Sequence, residues 1–512
     1  MSFKPLRLLL GFLALLPAFH AAAGGVTLIT HGFNSSIDGW VIGMATQVPG
    51  YPGFPGTNFS CYEIAITQNA QSQLIATPTL LFGTPPLGTD SGEIIIKLDW
   101  STLSAGTVPT TSIASTAANA LLTTNLLPIG GRTLAELPLH LVGHSRGASV
   151  ITEMARLLGA QGIWVDHVTT LDPHPVSLFG DPSMKNYANI LFADNYWQNL
   201  GNNITDPTGQ SIPGAYNRQL TNLTGGNTLN HSDVHLWYHG TVQLTTPASD
   251  TETSITSTER QAWWVPLENA GTNTGFRYSL LGGGDRLSNL EPLGANKGRI
   301  RDGFNQVWEL GAGTNGSRNP LPANNGLWPN LLRLNRSTTN SLSPGDPLPL
   351  SFYYQFGSSP SASAVLEFAL DPDANPYNTN ETAVYSGILN GTGTNSVAFG
   401  SLSPSIPTGL GAGSYWVLSR ITAGGRSRLL YAPQKVVVGS SRQAPVLLGA
   451  RVETNRFKFL LVGVPGQLVA IQASSNLVQW ISLQTNVLPG STLEISDPLA
   501  ISNRYYRARL LP

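Results

Sequence analysis

Cys61 is the only cysteine in 512 residues, so no intramolecular disulfide closes any part of the chain and the fold must rest on burial. Charge is nearly as scarce. Asp, Glu, Lys and Arg make up 11% and the formal net charge is -1, which excludes both the basic surplus that a nucleic-acid partner demands and a solvating acidic tail. Long apolar runs are also missing. The stretch Leu8 to Phe19 is broken by Pro17 and falls short of the roughly 20 residues that cross a bilayer, so an integral membrane protein is not expected. Lys4 and Arg7 precede that stretch and Ala21-Ala22-Ala23 follow it. These three zones predict a secretory signal peptide over 1–23 and a secreted, extracellular protein, with the periplasm or cell surface as the other destinations.

What the chain does have is length enough for several domains and two different periodicities. From Gly25 to about Asn195, short apolar and β-branched runs alternate with helical patterns. Val26 to Thr30, Glu93 to Leu98, Leu139 to Val142, His167 to Leu171 and Asn189 to Ala193 read as strands covered on both faces. Ser112 to Leu127 and the segment after Gly147 read as crossover helices. The expected fold class is α/β with a mostly parallel sheet, over 24–310. Beyond about Thr245, Gly, Pro, Asn, Ser and Thr increase and the strands become short and alternating, an all-β signal. A Gly/Asn/Pro-rich linker is expected over 311–330, a β-sandwich-like domain over 331–438 and a small β module over 446–512. Few contacts are expected to cross the linker, so the first unit is expected to be separable.

Gly143-His144-Ser145-Arg146-Gly147 lies between the strand Leu139 to Val142 and an amphipathic helix. G-x-S-x-G in that context forms a sharp strand-to-helix turn that presents the serine hydroxyl at a helix N-terminus, where the dipole favours developing negative charge. A serine hydroxyl is a weak nucleophile and needs a histidine base oriented by a carboxylate. Asp172, at the end of a strand and before Pro173, and Asp194, at the end of the next, compete as the acid. His231, His235 and His239 recur at i+4 spacing. His231 is favoured as base because it sits at a loop-to-helix junction, with His235 as the alternate. Glu does not follow the first histidine, as a zinc hydrolase requires, so no metal and no cofactor is expected. For the oxyanion, backbone N–H donors are expected at Arg146 and at Phe33, in the turn His31-Gly32-Phe33 after the first strand.

With these residues assembled, 26–241 resembles the lipase family of pancreatic and lipoprotein lipases, within the α/β-hydrolase superfamily. The resemblance is carried by His31-Gly32-Phe33 with Trp40, by Leu98-Asp99-Trp100, by the Gly143 to Gly147 elbow with Arg146 where leucine is usual, by Leu171-Asp172-Pro173 and by Asn230-His231 with Trp237-Tyr238. It implies an α/β-hydrolase core, Asp172 rather than Asp194 as acid and His231 rather than His235 as base. It further implies hydrolysis of carboxylic esters, with an ester or lipid as substrate. The terminal unit, with Trp480 and Tyr505-Tyr506-Arg507, is similar to small β modules of secreted bacterial proteins, which suggests contact with a cell surface or polysaccharide. Two other functions compete: a peptidase or amidase using the same triad, and a cell-surface adhesin or glycan-binding protein carrying an inert hydrolase domain.

Overall fold

The computed structural model describes residues 25–50, 59–83, 93–242 (except 202 and 224), 256, 258–259, 263, 275–276, 279, 319 and 328–511. Short gaps in the last range are 337–340, 358–360, 374, 394–395, 433–434, 440–443 and 500–502. The expected signal peptide and nearly all of the expected linker lie outside the described residues.

The first unit is one eight-stranded sheet of order β3-β2-β4-β1-β5-β6-β7-β8. Its strands are β1 (Gly25–Thr30), β2 (Phe59–Gln68), β3 (Leu74–Gly83), β4 (Glu93–Asp99), β5 (Leu139–His144), β6 (Val165–Leu171), β7 (Ile190–Trp197) and β8 (Tyr216–Gln219). All neighbours pair in parallel except β2 and β3, an antiparallel hairpin at one edge. Every residue of β1, β5 and β6 is buried, because successive side chains point to opposite faces and both faces are covered. Leu28, Ile94, Ile96 and Leu141 pack on one side with α3 (Thr110–Leu122) and α4 (Arg146–Ala160). Ile29, Ile95, Val142 and Leu171 pack on the other with α1 (Trp40–Gln47) and α5 (Asn230–Gly240). No helix among the described residues is long and apolar enough to cross a membrane.

The described strands from Asn330 onward pair antiparallel. Strands between Asn330 and Val438 form a three-stranded and a five-stranded sheet, and strands between Val446 and Leu510 form two three-stranded sheets. The hairpin β2–β3 and the short β8 escape the sequence reading. β3 shows why, since its residues are partly or wholly exposed and it contains Pro78, features that fit an edge strand but give no continuous apolar run.

Contacts do cross from the parallel sheet to the first β unit, against expectation. Trp328, Ala369, Trp416, Leu418, Leu429 and Tyr431 join the same apolar cluster as Leu134 and Leu137. The Trp164 N–H donates to Asn330 Oδ1 at 2.9 Å, and Asn330 Nδ2 donates to the Gly162 carbonyl at 2.7 Å. Arg428, 1% exposed, donates to Asp166 Oδ2 at 2.8 Å and to the Ala135 carbonyl at 2.9 Å. Gly and Pro content reports how a segment itself turns. It carries nothing about the surfaces that its two ends bring together, which is why a linker-like composition coexists with a buried interface.

That interface gives a stability prediction. Arg428→Ala leaves Asp166 buried without its ion partner and should cost about 3–5 kcal/mol, read as a lower urea midpoint for the parallel-sheet unit itself. A loss below about 0.5 kcal/mol, the range of an ordinary surface change, would mean that the two units are energetically independent.

Candidate active site

β5 ends at His144, and the next residue turns the chain sharply into α4. Ser145 has φ 56° and ψ -124°, a left-handed conformation that costs a non-glycine residue on the order of 1–3 kcal/mol and persists only where neighbours over-determine it. Here they do. A Cβ on Gly147 would lie 2.2 Å from the His31 carbonyl oxygen, and one on Gly143 would lie 2.5 Å from the Gly147 carbonyl oxygen. The turn after β1 approaches just as closely, since a Cβ on Gly32 would lie 2.6 Å from Ser145 Cβ. The His31-Gly32-Phe33 turn is therefore pressed against the serine.

Asp172 follows β6 and is also left-handed, at φ 42°. Its N–H donates to the Tyr196 carbonyl at 2.7 Å, while the Ser145 N–H donates to the Leu171 carbonyl at 2.9 Å. Neighbouring strand ends are thus tied into one rim. Across that rim, His231 in the first turn of α5 donates from Nδ1 to Asp172 Oδ2 at 2.6 Å. The pairing with a carboxylate assigns the proton to Nδ1, leaving Nε2 as the basic nitrogen. His144 reaches from the residue before Ser145 to donate from Nε2 to the His231 carbonyl at 2.9 Å, with ring centroids 4.5 Å apart.

Burial decides the charge states. It pushes His231 down to about 4, reinforced by the nearby His174 and opposed by Asp206. Burial also pushes Asp172 up to about 7, opposed first by the Gln198 side chain, then by the Gln198 N–H, then by His144 and His174. His144, fully enclosed, is pushed down to about 3 by burial and by the proximity of His231. At neutral pH the histidine facing Asp172 is an uncharged base.

The two alternates lie elsewhere. Asp194 Oδ1 accepts from His167 Nε2 at 2.8 Å and Thr169 Oγ1 at 2.6 Å, and its Oδ2 accepts from the Tyr196 hydroxyl at 3.0 Å. His235 is buried, stacked on Trp40 with centroids 4.7 Å apart. His31 supports its own turn. It donates from Nδ1 to the Gly32 carbonyl at 3.0 Å, accepts the Trp100 N–H at Nε2 at 3.2 Å and stacks on the Trp100 ring.

Three residues of the site have no local signature in the sequence. Gln198 donates to Asp172 through both its N–H and its carboxamide, at 2.9 and 2.8 Å. Asp206 caps α5, accepting the His231 N–H at 2.9 Å and Asn230 Nδ2 at 2.9 Å. Asp181 forms a two-pronged pair with Arg146, Nε to Oδ2 at 2.6 Å and Nη2 to Oδ1 at 3.0 Å. The Arg146 guanidinium also donates to the carbonyls of Ser104 at 2.8 Å and Val108 at 2.6 Å, and lies against the Trp100 and Phe179 rings. Phe179 stacks in turn on Phe33. Arg146 therefore secures both loops beside the elbow. Among the described residues, no group of three or more His, Cys, Asp or Glu side chains is arranged to hold a metal ion.

No family model matches the chain, and no curated protein matches it. Among solved structures, the C-terminal domain of Wzt is similar at 14% identity over 22% of this chain and 74% of that chain, with a TM-score of 0.17. A likeness of that size carries no argument about fold or activity.

The Arg146–Asp181 pair can be tested alone. Asp181→Ala should destabilise by about 3–5 kcal/mol, because it leaves the buried guanidinium without its carboxylate and the N–H groups of Thr110 and Val176 without an acceptor, and Arg146→Leu combined with Asp181→Ala should cost clearly less than the sum of the two single changes. Additive losses in urea unfolding of the two single variants and the double variant would show that the pair is not coupled.

Proposed function

We propose that the protein is a secreted serine hydrolase of α/β-hydrolase fold that cleaves carboxylic esters, with Ser145 as nucleophile, His231 as base and Asp172 as the acid that orients it. The observation that carries this reading is the bond from His231 Nδ1 to Asp172 Oδ2 on the same rim as a left-handed serine in a G-x-S-x-G turn. A buried histidine and aspartate often pair for stability alone. Here the histidine is also bonded through its carbonyl to the residue that precedes the serine, which ties the start of α5 to the serine turn.

In this reading Ser145 Oγ attacks the acyl carbon while His231 Nε2 takes its proton. The oxyanion accepts the N–H groups of Arg146 and Phe33, and the departing alkoxide takes the proton back from His231. Water, deprotonated by His231, then attacks the acyl-enzyme and releases the acid with Ser145 restored. Asp172, in its ionised form, accepts the His231 Nδ1–H and stabilises the transient imidazolium. The reaction requires no cofactor. An ester with an apolar acyl part is favoured over a peptide because the segments bordering the rim expose apolar side chains, Phe33 at 46%, Leu178 at 88% and Ile204 at 96%.

Ser145→Ala should lower turnover of a soluble short-chain ester by on the order of 10³-fold or more, with the thermal midpoint unchanged. Retained turnover in that variant would remove Ser145 from the chemistry.

A further inference from the structure

We infer that Gln198 is a positioning residue that aims Asp172 at His231 and favours its ionised form, and that the loop from Gln198 to Gly209 is the element that sets both acid and base; this rests on the serine-hydrolase reading above. The geometry leaves the carboxamide one orientation. Gln198 Oε1 accepts the backbone N–H groups of Leu200 at 2.6 Å and Gly201 at 2.8 Å. Its Nε2 must then face the other way, where it donates to Asp172 Oδ2 at 2.8 Å and to the Pro207 carbonyl at 2.9 Å. All four hydrogen-bonding positions of the amide are used, so its donor cannot flip away from the acid without leaving two N–H groups unmet.

Asp172 needs such a donor. It is fully buried, and a carboxylate out of water tends to take up a proton. A protonated Asp172 would no longer stabilise an imidazolium. Oδ1 accepts the Gln198 N–H, and Oδ2 accepts both the Gln198 carboxamide and His231 Nδ1. Gln198 therefore supplies two of the three donors that favour the ionised form. The other titratable groups facing the acid are His144 at the end of β5, His174 two residues after Asp172 and His231 on α5, with Asp206 against the His231 N–H.

The same loop carries Asp206, which caps α5 through the N–H of His231 itself. Acid and base are thereby referenced to one segment, fixed at one end by an amide and at the other by a carboxylate. The tip between them leaves Ile204 in solvent and Leu200 partly exposed, and Asn203 Oδ1 closes it by accepting the N–H groups of Thr205 and Asp206.

The test is the pH dependence of kcat/KM on a soluble ester for the wild type, Gln198→Glu and Gln198→Met. Glu keeps the shape and the acceptor for Leu200 and Gly201 but replaces the donor facing Asp172 by an acceptor. Asp172 then holds its proton to higher pH. The acidic limb of the profile should move up by about one pH unit or more, while the basic limb and the circular-dichroism spectrum stay in place. Met removes the donor without adding charge and should move the limb in the same direction, and it decides the matter if Glu prevents folding. Wild-type limbs in folded variants, with only the rate or the melting temperature reduced, would overturn the inference and leave the hydrolase reading standing. A wild type that hydrolyses no ester at any pH would overturn both.

Discussion

Everything at the rim depends on backbone packed against backbone with no Cβ between. The turn after β1, the end of β5 and the first turn of α4 come together at Gly32, Gly143 and Gly147, each at a spacing that a side chain would close. That crowding holds Ser145 at its positive φ. A strained residue of this kind costs stability locally, and the rest of the unit must offset it. It does so with strands buried on both faces and with a loop network built from charge.

The network is unusual for a chain with so few charged residues. Arg146 is spent inside, on Asp181 and the carbonyls of two loops, and Arg428 is spent on Asp166 and Ala135. Each guanidinium offers several donors in a rigid fork, so one residue satisfies carbonyls from separate segments at once. With a single cysteine in the chain, buried forks of this kind are what ties these distant segments together. They also link the rim to the rest of the molecule, since the loops held by Arg146 carry Phe179 and, through it, Phe33.

What was legible in the sequence was local. Glycines around Ser145, a helix following at 3.6-residue period and five apolar strand runs each leave a mark within a dozen residues, and all five runs fall on strands of the sheet, although the last continues to Trp197 and so holds Asp194 inside the strand, and the helix expected over Ser112 to Leu127 stops at Leu122. The pairing of Asp172 with His231 needed the order of short motifs, because 59 residues separate the two and no spacing rule joins them. Gln198, Asp206 and Asp181 left no mark, since a glutamine or aspartate in a loop reads the same whether it faces water or a buried acid. The interface at Trp164, Asn330 and Arg428 was hidden for a related reason. A surface assembled from distant segments has no period of its own.

The central claim is that Ser145 is a nucleophile activated by the His231–Asp172 pair. Its most direct measurement is peptide mass mapping after reaction with a fluorophosphonate, on the wild type and on His231→Ala. The account predicts a single adduct, on Ser145, formed in the wild type and slowed by on the order of 10³-fold or more in the variant. No adduct in folded wild type, an adduct on another residue, or equal labelling rates in the two proteins would contradict it.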